Sequence, residues 1–172
     1  GTSLTEEQAA LLSKYTDQVV LIYDGDNAGQ NATRRAIPIL EKAGIQVKVL
    51  QLRDAKDPDE FLKKFGPDKF RLLLAESSDR VEYQLNVIRA KYDLRLDEQK
   101  VHYIQEAAAL ISTLDSPIKR EVYGGRVAES AGITAETMKL EVNKAFKQRV
   151  YREKKKEEKT ALDPMKALQP KE

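Results

Sequence analysis

The 172-residue chain has no cysteine, no tryptophan and a single histidine, His102. Without cysteine there is neither a disulfide nor a thiolate metal site, and the chain is compatible with a reducing, cytoplasmic compartment. His102 has no second ligand-type residue at metal spacing, so it reads as a surface or packing residue and no zinc is expected. No apolar run approaches the about 18 residues of a spanning helix, so no membrane partner is expected. No secretory signal is visible either. An excess of charge is also lacking: 30 basic residues face 28 acidic ones, a net +2. Overall charge therefore says little about partners, and the distribution of charge matters more.

What the sequence does have is the stretch Val19 to Arg35, VVLIYDGDNAGQNATRR. Val19 to Tyr23 is a short β-branched-rich run that reads as a buried strand. It stops at Asp24-Gly25-Asp26, and a helical pattern follows from about Asn27. Two acids are thus delivered where a strand ends and a helix begins, at the sheet edge where open α/β folds bind ligands. Gly25 lets the backbone turn tightly between them. Such a pair suits Mg²⁺ or Mn²⁺, hard cations that take one or two carboxylates, keep waters and accept phosphate oxygens. Other readings compete. Asp26 can simply cap the helix. A calcium loop would place Asp24, Asp26 and Gly29 at positions 1, 3 and 6, but Arg35 stands where position 12 needs a glutamate. A phospho-aspartyl enzyme would use one acid as nucleophile.

Upstream, Thr5 to Tyr15 reads as an amphipathic helix, with Thr5 as cap, Gln8 as its reciprocal partner and Leu11, Leu12 and Tyr15 as the apolar face. Downstream, Asn27 to Ala43 is expected to turn Ala28, Ala32, Ala36, Ile39 or Leu40, and Ala43 inward, with Pro38 kinking or dividing it. Ile45 to Leu52 reads as a second strand, completing a right-handed βαβ unit. Two strands are too few to stand alone with both faces covered, which implies neighbouring strands from a preceding segment or a partner. The second strand also ends in acids, at Asp54, Asp57 and Asp59. Asp57-Pro58 with Glu60 is equally a helix start.

At this point the residues resemble a known family. Tyr23-Asp24-Gly25-Asp26-Asn27-Ala28-Gly29, followed by Ala32 and Arg35-Ala36, is similar to the acidic signature of bacterial DNA primases, the central motif of the Toprim fold. Gly1 to Thr5 with Gln8 and Leu11-Leu12 resembles the preceding segment, and Lys56-Asp57-Pro58-Asp59-Glu60 resembles the next acidic motif. The resemblance implies metal-dependent synthesis of short RNA primers from ribonucleoside triphosphates on a single-stranded DNA template. It makes Asp24 and Asp26 catalytic residues and metal ligands, with Asp57 and Asp59 completing the cluster. Arg34 and Arg35, leaving the motif, are placed to meet nucleotide phosphates, with a role as surface cations the competing reading. The family's upstream Glu-Gly motif has no counterpart here. Its zinc-binding domain, basic polymerase subdomain and helicase-binding domain are also absent, so the replicative helicase would engage a domain outside this chain. The isolated chain is then expected to be inactive. Another Toprim enzyme (a topoisomerase or nuclease) and a non-catalytic helical interaction module are the competing readings.

From Asp59 onward the pattern is helical. Short helices are expected over Glu60 to Lys64 and Asp68 to Ala75, separated by Gly66-Pro67. Longer ones cover Asp79 to Tyr92, then Asp97 to Leu114 with Val101, Ile104, Ala108 and Ile111 as its buried stripe. Ser116-Pro117 opens a helix to Ala131, and the last runs from Thr134 through Tyr151. The expected architecture is α/β followed by all-α, a partial Toprim βαβ unit (1–76) and an antiparallel helical bundle (77–158), with a linker or tail over 159–172. The joint Val127 to Thr134 resembles a helix-turn-helix reader, but an ordinary helix-to-helix joint with a glycine stop and threonine cap is the preferred reading, since the candidate recognition helix offers Glu136 and Glu141 alongside Lys139. Lys147 to Lys159 carries seven basic residues against three glutamates. That run is either a phosphate-contacting surface or a solvated helix end.

Overall fold

The computed structural model describes residues 3–162. The chain divides into two compact units, Gly1–Gln84 and Leu85–Glu172.

In the first unit, α1 (Glu6–Ser13) opens with the expected capping box: the Thr5 hydroxyl accepts from the Gln8 amide while the Gln8 side chain accepts from the Thr5 amide. Its apolar face is not covered as expected. Leu11, Leu12 and Tyr15 are exposed, and only Ala9 is buried. β1 (Gln18–Tyr23) pairs in parallel with β2 (Gln46–Gln51), in the register Val19 to Val47, Leu21 to Val49 and Tyr23 to Gln51. A third strand, β3 (Ser78–Asp79), adds to β2 antiparallel, so the order is β1-β2-β3. It falls within the start of the helix expected from Asp79, because two residues of alternation leave no periodicity to read. β1 is an edge strand, and none of its residues is fully buried. A run of five apolar residues suggests burial on both sides, but burial requires neighbours, and among the described strands only β2 lies beside β1. The center of the core is β2, where Val47, Val49 and Leu50 are buried.

α2 (Asn27–Lys42) buries Thr33, Ile37 and Leu40, not the row Ala28, Ala32 and Ala36. The two rows are adjacent on the helix. The larger side chains gain more by leaving water, so they take the inner position. Pro38 lies inside α2 without dividing it. It sits on the exposed side, where water can satisfy the carbonyl four residues earlier. α3 (Pro58–Phe65) and α4 (Pro67–Ala75) meet at Gly66, whose φ of 83° is a glycine conformation. Phe61 packs against Phe65 and Phe70, with ring centroids 4.8 and 5.9 Å away. The helix α5 (Arg80–Ala90) begins in this unit, and its Tyr83 meets Tyr23 edge-on at 5.8 Å.

In the second unit, α6 (Asp97–Ile111), α7 (Pro117–Ala131) and α8 (Ala135–Ala161) pack on one another. The stripe on α6 is Tyr103, Ile104, Ala107, Ala108 and Ile111, while Val101 is half exposed, contrary to expectation. Lys91 and Tyr92 both bond the Glu106 carboxylate, tying the segment after α5 to α6. α7 stops at Gly132 with φ 68°, where Ile133 N–H returns to the Ala128 carbonyl at 3.0 Å, and Thr134 caps α8. That joint buries Val127, Ala128, Ala131, Met138 and Val142, a helix-to-helix packing contact. α8 runs ten residues past Tyr151, into the segment read as tail; residues 163–172 lie outside the described part.

Candidate functional site

The site begins where β1 runs out. Leu52 N–H donates to the Tyr23 carbonyl at 2.7 Å, so the pairing of the two parallel strands extends past β2 and both chains leave the sheet side by side. The acids after β1 and those after β2 are therefore brought to one edge. Gly25 takes φ 91°, and a Cβ there would collide with the amide of Gln51, the residue paired with Tyr23. The Gln51 side chain could swing away, so it is the positive φ of the turn that demands glycine. Asp26 then caps α2, its Oδ1 accepting from Gly29 N–H at 2.5 Å, while Asp24 Oδ1 accepts from Asp26 N–H at 3.3 Å.

Gly29, at the third position of α2, was read from the sequence only as a motif residue, without a role of its own. A Cβ there would lie 2.9 Å from Asp24 Oδ1 and 3.1 Å from Asp26 Oδ1. Both carboxylates therefore lean over the space its missing side chain leaves. A glycine in the first turn of an otherwise good helix was the available signal, since helices disfavour it unless something needs the room. The two remaining acids behave differently. Asp57 caps α3, accepting from Glu60 N–H at 2.8 Å, and Glu60 accepts in return from Lys56 N–H at 2.7 Å. That backbone bond, helped by Lys64, holds the Glu60 carboxyl below its ordinary range. Asp59 is engaged with Lys63 at 2.6 Å on an exposed turn.

A groove of about 940 Å³ runs past this edge. Leu4, Leu21, Ala36, Ile39 and Leu52 give it apolar walls, and Asp24, Asp57, Lys56, Arg34 and Arg35 give it charged ones. Asp24 and Asp57, beyond the ends of neighbouring strands, thus border one space. Among the described residues, no carboxylate lies within ion-pair distance of Arg34 or Arg35, and both border the same groove. Lys56 was not anticipated as a groove residue. Tyr23 closes the inner end, where burial and its hydrogen-bonded neighbour Tyr83 push its phenol up to about 12 despite Arg53 nearby.

The donor set fits a hard cation in part. Asp24 and Asp26 supply two carboxylates over an open backbone, the number Mg²⁺ takes when substrate phosphate and water complete its shell. Among the described residues, no group of three or more His, Cys, Asp or Glu side chains could hold a metal, so Asp57 and Asp59 do not close a cage with the first pair. His102 is exposed on α6.

Comparison with known proteins agrees with this topology. Residues 1–62 match a family described as Toprim-like, and residues 81–136 match the DnaB-helicase binding domain of primase. The helicase-binding part was expected outside this chain; the second match puts a domain of that description on α5 to α7 and the start of α8. The DNA primase of Clostridium acetobutylicum is 37% identical over 133 residues, covering 77% of this chain and 22% of that protein. A DNA primase domain from Pseudomonas aeruginosa superposes with a TM-score of 0.59 at 26% identity, covering 83% of this chain and 46% of the other. A DnaG primase catalytic domain bound to single-stranded DNA gives a TM-score of 0.61 at 25% identity, over 80% of this chain and 44% of that one. This chain spans about a quarter of the length of its curated relatives. Among the described residues, no helix is long and apolar enough to cross a membrane. A Toprim-like α/β unit carrying paired acids at a strand end, followed by a primase-type helical unit, makes this chain a member of the bacterial DNA primase family.

Proposed function

We propose that this chain is part of an enzyme that synthesises RNA primers on single-stranded DNA by metal-dependent nucleotidyl transfer. The observation that carries the reading is the convergence of Asp24 and Asp26 over Gly29, beside a groove edged by Arg34, Arg35 and Lys56. In this reading Asp24 and Asp26 are the catalytic metal ligands. Mg²⁺ or Mn²⁺ held there supplies charge that orients a triphosphate, acidifies the primer hydroxyl and stabilises departing pyrophosphate. Arg34, Arg35 and Lys56 meet the phosphates of the incoming ribonucleotide, and Asp57 and Asp59 add negative field at the same edge. The upstream Glu-Gly motif of the family has no counterpart in this sequence, and on this reading the chain alone is inactive. The helical unit supports an encounter with the replicative helicase, as its match to a helicase-binding domain suggests.

The test is primer synthesis by the full-length parent carrying Asp24→Asn or Asp26→Asn. Loss of more than about a hundredfold is expected, the scale on which removing one preorganised electrostatic group acts. Near-normal synthesis by either variant would overturn the assignment. A topoisomerase or nuclease would need the same acids, but the primase-type helices after the α/β unit favour primer synthesis.

A further inference from the structure

We infer that the distal half of α8 is a binding arm for single-stranded nucleic acid, contacting phosphates with its basic side chains and stacking a base on Tyr151. The inference deepens the primase reading, which supplies the choice of ligand.

The arm is anchored before it is free. Phe146 lies between the guanidinium groups of Arg120 and Arg149, each 5.5 Å from its ring. Arg149 donates to the Ser112 carbonyl at 3.2 Å and pairs with Glu153 at 3.4 Å. Beyond that anchor, residues 151–162 are all exposed. A helix polar on every side gains little from packing, so its sequence needs another explanation.

The charges on it are sorted. At about 100° per residue, Lys147, Tyr151, Arg152, Lys154, Lys155, Lys156 and Lys159 share one arc of roughly 200°. Glu153 and Glu157 lie on the opposite side, and Glu158 alone interrupts the arc. Among the described residues, no carboxylate pairs with Lys147, Arg152, Lys154, Lys155, Lys156 or Lys159. A helix built only to be solvated would place opposite charges four residues apart. This one does so at Arg149 and Glu153 and at Lys154 and Glu158, but on the basic arc it also stacks Arg152 over Lys156 and Lys155 over Lys159, like over like, an arrangement that repels in water and is relieved by a polyanion. Tyr151, 67% exposed in the middle of the arc, adds a flat aromatic face. Cations along a track with an aromatic between them are the features by which single strands are held without sequence preference.

The experiment measures fluorescence anisotropy of a labelled single-stranded oligothymidylate with the 172-residue chain, across a salt series. The quadruple variant R152Q/K155Q/K156Q/K159Q should bind at least about tenfold more weakly. The slope of log affinity against log salt should fall by about 3, at about 0.7 per phosphate contact. A control with the same charge removed at scattered exposed lysines, K14Q/K119Q/K139Q/K144Q, should change less than about twofold, because a diffuse field is not a track. Tyr151→Ala should weaken binding at least about fivefold with the slope intact. The charge-retaining variant K155R/K156R/K159R should bind as the original does. It keeps the test decisive if the glutamine variant loses helix by circular dichroism. Equal losses in both quadruple variants, an unchanged slope, no measurable binding at low salt, or tighter binding to phosphatidylserine vesicles than to the oligonucleotide would each overturn the inference. Asp24→Asn should leave this binding untouched, so the arm and the catalytic assignment can fail separately.

Discussion

Replacing Gly29 by alanine separates what the acidic junction does for the fold from what it does for chemistry. The backbone there is ordinary, with no positive φ, so alanine is not strained. Helix propensity favours alanine by up to about 1 kcal/mol, and the unfolded chain loses some freedom besides. Against this, the new methyl would sit 2.9 Å from Asp24 Oδ1 and 3.1 Å from Asp26 Oδ1. Both carboxylates must swing aside. Asp26 can do so only by loosening its bond to the residue 29 amide, a cap worth about 1 kcal/mol. The two contributions nearly cancel, so the net change in unfolding free energy should stay within about 1 kcal/mol, or about 2–4 °C in Tm for a chain of this size. Cation affinity has no such compensation. Displaced ligands should weaken Mn²⁺-induced NMR broadening at residues 24–27 about 10–100-fold in apparent affinity, the range seen when ligand positioning is disturbed. Primer synthesis by the parent should fall alongside. Denaturant melts and Mn²⁺ titration of the same sample decide the matter. A variant destabilised by more than about 2 kcal/mol that still binds the cation would show Gly29 to be a packing residue. Unchanged binding and synthesis would refute the convergence argument.

Two further outcomes are expected. Asp57→Ala should cost about 1 kcal/mol in denaturant unfolding through loss of the α3 cap, whereas Asp57→Asn, an equally good cap, should leave stability alone and lower primer synthesis in the parent; equal synthesis in the asparagine variant would reduce Asp57 to a cap. Burial and Tyr83 raise the Tyr23 phenol to about 12, so the fold favours its protonated form. That stabilisation is complete below the ordinary value of 10.0 and is lost as pH climbs from there towards about 12. Ultraviolet difference titration should show late phenols at Tyr23 and at Tyr92, which bonds Glu106, and Tyr83→Phe should shift only the Tyr23 step earlier.

How much of this was legible in the sequence depended on whether the signal was local. Thr5 with Gln8, Asp26, Asp57 before Pro58, and Ser116 before Pro117 all stand where they were expected, because a cap is set by three or four neighbouring residues. Gly25 and Gly132 were readable for the same reason. Burial was less legible, because it depends on what lies opposite. Leu11 and Leu12 have the spacing of a buried face but remain exposed. On α2, two adjacent rows both qualify, and only side-chain volume decides between Ala32 and Ile37. At the site, the strand-to-helix junctions were readable, while the convergence of Asp24 and Asp26 on Gly29 was not. It arises from a turn and a helix start folding over one atom, which no periodicity records.

The edge position of β1 has a practical consequence. Its outer row of amides and carbonyls has no partner strand among the described residues, and the segment Val19 to Tyr23 is uncharged, β-branched and free of proline and glycine. That combination is a template for strand addition between copies. Preparations of this chain should therefore self-associate as concentration rises. A single lysine at Val19, at the half-exposed start of the strand, would act as a gatekeeper against stacking, leaving the acidic turn as it is.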